Sequence, residues 1–219
     1  MSMSVEQFLS LSDAEQLQTI KELNDIGQED IIIDVLTEVG IDNLSVPLLG
    51  ELGRAYNNND KPEEAIKVFK TIDKEQRDAV WHYRCAYSHG SIASTNHEAY
   101  TSENMQQMLA LVDSGVQLAT KENRKDIREY CFEVMDMCRL QMDFEKCEVD
   151  YPDLCLNYSK YIAEKKKKRE GVPRQRTITV EEILATDDMW TINEPAYWTI
   201  NIYGSYDDYL ESAKGFTVE

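Results

Sequence analysis

Helix start and stop signals recur along this chain at short intervals, and strand signals are scarce. Ser12-Asp13-Ala14-Glu15 is a capping box, in which the Ser12 hydroxyl accepts from the third helical amide while Glu15 reaches back to the Ser12 N–H. Behind it Leu17, Ile20, Leu23 and Ile26 recur at three-residue steps, and Gly27 supplies a left-handed stop. A second helix carries Ile31, Ile32, Val35, Leu36 and Val39 on one face and ends at Gly40. The β-branched run Ile31-Ile32-Ile33 invites a strand, but the helical period continues to Val39, and helix wins. A third and a fourth helix meet at Asn57-Asn58-Asn59-Asp60-Lys61-Pro62, where Asn and Asp tolerate turn conformations and Pro62 suits a first helical turn. Two further pairs follow, 79–89 with 103–119 and 124–140 with 152–164, with a polar loop expected over Gly90–Ser102.

Helix pairs joined by short turns at a near-constant period predict an all-α fold, an α-solenoid of helical hairpins over residues 1–170. Gly171-Val172-Pro173 breaks that pattern and predicts a linker at 171–179. A second capping box, Thr179-Val180-Glu181-Glu182, then opens a short C-terminal helical segment within 180–219. Trp190, Tyr197, Trp198, Tyr203, Tyr206 and Tyr209 crowd into that segment among acids, a pattern that serves either a small core or an interface.

Leu49, Leu52, Gly53 and Tyr56 in one helix, and Ala65 and Phe69 in the next, stand at the signature positions of a repeat. Over 46–120 the chain resembles the tetratricopeptide repeat (TPR) proteins. A shift of 33 residues places Ala86 where Gly53 sits and Cys85 where Leu52 sits, so 79–120 reads as a second, degenerate repeat. The pairs at 12–40 and 124–164 share the architecture without the signature and serve as divergent repeats or caps. Gly53 and Ala65 are expected to face each other across the pair, with Tyr56 and Phe69 filling the gaps beside them. The resemblance implies a concave groove lined by first-helix residues: Glu51, Arg54, Asn57 and Asn58 from the clear repeat, and Tyr83, Arg84 and Tyr87 from the degenerate one. Two guanidinium forks with Asn amides and Tyr rings between them suit a carboxylate-bearing segment. The alternative is that Arg54 and Arg84 neutralise neighbouring acids such as Glu51. From Ala196 to Thr217 the chain is faintly similar to the start of a DNA-mimic-protein-like domain of uncharacterised bacterial proteins, which suggests a truncated relative of something longer and carries no function over.

Charge narrows the partners. The 219 residues hold 41 acids against 23 Lys plus Arg, a net charge of −18, which repels nucleic acid and anionic membrane alike. No apolar run approaches the ~18 residues of a membrane span, and Met1 to Gln7 carry no basic, apolar leader, so a cytoplasmic protein is expected. Positive excess is confined to Lys160–Arg176, centred on Lys165–Arg169; it reads as a solvated helix end, with nucleic-acid binding or an address signal as the alternatives. The five cysteines, Cys85, Cys131, Cys138, Cys147 and Cys155, are odd in number and lie in helical patterns, so free buried thiols are expected.

His82, Cys85 and His89 share one helical face at metal-compatible spacing, yet they fall on the packed positions of the degenerate repeat and are expected to be core. No Gly-x-Ser-x-Gly elbow and no phosphate-cradling loop is present, and all three His lie within 82–97, so neither a catalytic centre nor a cofactor is expected. The function read from the sequence is a non-catalytic protein–protein interaction module that takes a peptide or partner domain on its concave helical face. The alternative is an acidic decoy or inhibitor, immunity-like or mimicking nucleic acid, that occupies a basic surface of a partner protein.

Overall fold

Ten α-helices follow one another in the computed structural model, which describes residues 3–170: α1 Val5–Leu9, α2 Asp13–Asp25, α3 Glu29–Val39, α4 Val46–Asn58, α5 Pro62–Lys70, α6 Ala79–Thr95, α7 Glu103–Lys121, α8 Lys125–Met137, α9 Phe144–Asp150 and α10 Pro152–Glu170. Among the described residues there is no strand, and the fold class is all-α. None of the described helices is long and apolar enough to cross a membrane. The chain divides into two compact units, 1–162 and 163–219. The expected linker at 171–179 and the aromatic segment 180–219 lie outside the described residues.

Local chemistry sets the helix ends. Ser4 and Ser12 both form complete capping boxes, with Gln7 and Glu15 as the returning side chains. Asp78, Ser102 and Asp143 each accept the N3 amide of the helix that follows. Gly27 and Gly40 take φ values of 71° and 90°, and a side chain is strained at both.

A 33-residue advance organises the first half. Helices α2, α4 and α6 begin at Asp13, Val46 and Ala79, each 33 residues after the last. One side-chain hydrogen bond repeats with them: Asn24 Nδ2 donates to the Glu51 carbonyl at 3.2 Å, and Asn57 Nδ2 to the Arg84 carbonyl at 3.0 Å. Both donors and both acceptors are offset by that same 33. From α6 to α8 the step lengthens to 46, because α6 and α7 run to 17 and 19 residues.

Two hydrophobic clusters hold the first unit together, and α6 contributes to both. Trp81 and Cys85 join Phe8, Ile20, Ile32, Leu36, Leu52 and Phe69 on one side. Ala79, Ala86 and Ala93 join Met105, Leu109, Phe132, Met135, Tyr158 and Tyr161 on the other. A Cβ at Gly53 would lie 2.4 Å from the Phe69 ring, so the glycine admits an aromatic ring; Ala65 is fully buried in the same cluster.

The expected loop at Gly90–Ser102 is corrected. Helix α6 continues to Thr95, and only Asn96–Ser102 turns. Gly90 is a packing glycine here, because a Cβ would come within 2.9 Å of Met137 and 3.1 Å of Val134 on α8. Cys138 also donates to its carbonyl at 3.3 Å. Helix α8 stops at Met137 rather than 140, α9 intervenes unannounced, and α10 runs past 164 to Glu170.

Candidate binding groove

Alternate helices α2, α4, α6 and α8 line one open groove of about 840 Å³ in the first unit. All seven residues named from the sequence border it: Glu51, Arg54, Asn57 and Asn58 from α4, and Tyr83, Arg84 and Tyr87 from α6. Lys21 enters from α2, Val46 and Pro47 from the start of α4, and Ile127 and Tyr130 from α8. Its volume falls inside the roughly 300–1,000 Å³ of ligand sites.

The seven divide into two kinds. Glu51, at 5% exposure, is buried. Its carboxylate accepts from Arg84 at 3.0 Å and from Asn24 at 2.9 Å, with an Arg54 nitrogen at 3.5 Å. Arg84 also donates to the Gly50 carbonyl at 2.9 Å. Asn57 is spent as well: its amide nitrogen holds the Arg84 carbonyl, and its oxygen accepts from Ser88 at 2.7 Å. These three tie α2, α4 and α6 together beneath the groove. Of the two readings of the guanidiniums, neutralisation of Glu51 is the one that describes Arg84, which donates to that carboxylate and to the Gly50 carbonyl.

Arg54 is different. Its pair with Asp25, at 2.9 Å, has side chains 31% and 66% exposed, and such solvated pairs are worth only about 0–1 kcal/mol. Helix α2 also presents Lys21 to the groove. Asn58 is exposed, its amide nitrogen 3.3 Å from Glu29.

Aromatic surface forms the other wall. Tyr83 and Tyr130 have ring centroids 5.3 Å apart, tilted by 30°, and Tyr130 is 44% exposed. Burial, followed by the neighbouring Tyr87, raises the Tyr83 phenol above its ordinary range, so it stays protonated and serves as donor and apolar surface. Tyr130 was not named from the sequence. Its helix follows the 46-residue step, so no shift by 33 from the signature residues reaches it.

The metal-spaced trio is not assembled. Cys85 is buried beside Leu52 and Trp81, and burial pushes its thiol up to about 12. His89 Nδ1 pairs with Asn104 Oδ1 at 2.9 Å, while His82 Nδ1 lies 2.8 Å from the Asp78 carbonyl. Among the described residues no group of three or more His, Cys, Asp or Glu is placed to hold a metal. Compared with known proteins, the chain matches no family model, no curated protein and no solved structure. The repeat resemblance rests on the residues that carry it.

Proposed function

We propose that this chain is a TPR-like, non-catalytic interaction module that holds an extended peptide segment of a partner protein in the α2–α4–α6–α8 groove. The observation that carries the reading is the division of labour across that groove. Glu51, Asn57 and Arg84 are used up in fixing the helices. Tyr83, Tyr87, Tyr130, Lys21 and Arg54 are left facing the opening. Tyrosine is favoured at interfaces because it covers a large area with two torsions and keeps a polar tip. Tyr83 and Tyr130 then supply the apolar contact, and Arg54 exchanges its exposed Asp25 for a carboxylate of the incoming segment. The repeated 33-residue advance supports the solenoid architecture on which this groove depends.

The test is selection from a random peptide library displayed against the full chain, with counter-selection on a Tyr83→Ala/Tyr130→Ala variant of unchanged circular dichroism. Enrichment of peptides bearing an apolar or aromatic residue near an Asp or Glu, lost on the variant, supports the reading. Peptides that bind both proteins equally, or no enrichment, overturn it.

A further inference from the structure

We propose that Cys147 and Cys155 form a modification site, a buried dithiol that a low-molecular-weight disulfide such as oxidised glutathione converts to an intramolecular disulfide. The Cys155 thiol, in the first turn of α10, donates to the Cys147 sulfur of α9 at 2.9 Å. A disulfide holds its sulfurs at about 2.05 Å, so closure moves them by less than an ångström. The backbone fixes the approach. Tyr151 N–H donates to the Cys147 carbonyl at 2.7 Å, and Cys155 N–H to the Tyr151 carbonyl at 3.0 Å, across the tight connection between the helices. Cys85, Cys131 and Cys138 are buried too, but among the described residues no other two sulfurs share a hydrogen bond.

Burial raises both thiols above the ordinary cysteine range, so the closed pair is slow to react. Access comes by opening of α9, a seven-residue helix whose Val149 is 79% exposed. One cysteine, as thiolate, attacks the glutathione disulfide, forming a mixed disulfide and releasing one glutathione thiolate. The second attacks the protein-side sulfur of that mixed disulfide and releases the other. Two protein thiols and one glutathione disulfide become one protein disulfide and two glutathione thiols, the two protons ending on the glutathiones. The product staples α9 to α10.

Both cysteines fall in one tryptic peptide, 147–160. The reduced, folded full chain is incubated with oxidised glutathione, quenched in acid, digested and weighed. The expected result is loss of two hydrogens from that peptide with no glutathione attached, a fall from five free thiols to three, and unchanged helical circular dichroism. Persistence of all five thiols, a lasting glutathione adduct on either residue, or a bond to Cys85, Cys131 or Cys138 overturns the proposal. In Cys155→Ser no protein disulfide forms at all; continued disulfide formation in that variant also overturns it.

Discussion

Glu51 shows what a single buried carboxylate does in this fold. It holds Arg84 from α6, Asn24 from α2 and the edge of Arg54 in its own helix. Truncating one member of a buried pair leaves the other charge uncompensated, at about 3–5 kcal/mol. Glu51→Ala is therefore expected to lower urea stability by that order, while Asp25→Ala, which removes only the exposed partner of Arg54, costs under about 1 kcal/mol. Equal effects of the two substitutions would contradict the division between buried and solvated ion pairs at the groove. His89 gives a second test. Burial, reinforced by Lys70, holds it below the ordinary 6.5, against the opposing pull of the Asn104 hydrogen bond and of Glu103 and Glu98. The unfolded chain then binds a proton that the folded chain resists, so this contribution to stability is intact above 6.5 and declines as pH falls below it. His89→Gln should flatten the loss of urea stability between that pH and about pH 5. A slope identical in both proteins would rule the histidine out as its source.

At the scale of elements, glycines distinguish the two kinds of helix contact. In Gly53→Ala the new methyl meets the Phe69 ring at 2.4 Å, and overpacking of that kind costs about 1–3 kcal/mol. Gly90→Ala meets the flexible end of Met137 at 2.9 Å and a Val134 methyl at 3.1 Å, side-chain tips that need give by only a few tenths of an ångström, and the ~1 kcal/mol gained in helix propensity offsets that crowding. Thermal unfolding should show Gly53→Ala clearly destabilised and Gly90→Ala near neutral, with Phe69→Leu partly rescuing the former. The contrast also explains what was legible in the sequence. Leu49, Leu52, Gly53, Ala65 and Phe69 were readable because a buried face repeats at helical spacing. Gly90 was misread because glycine at a stop and glycine at a close contact are the same letter. Helix α9 offered seven residues, too few for a period to register. Arg54 and Arg84 look equivalent along the chain, and only packing separates an arginine side chain 31% exposed from one at 17%.

For the whole molecule, the groove stands apart from its acidic surroundings. A chain of net charge −18 borders this opening with Lys21, Arg54, Arg84 and Arg124 against Glu51, Asp78 and Asp126. That balance favours recognition by shape and aromatic contact inside the groove, whereas an acidic decoy would act through its exterior and lose affinity steeply with salt. The two readings separate in one measurement: fluorescence anisotropy of a library-selected peptide with the full chain and with Tyr83→Ala/Tyr130→Ala, at low and high salt. In the proposed interface, truncating the two groove tyrosines at about 1.4 kcal/mol or more between them is at least tenfold in Kd. The account predicts that loss with the fold intact, and a change of only a few-fold across the salt range. Affinity that ignores both tyrosines and collapses with salt would contradict it.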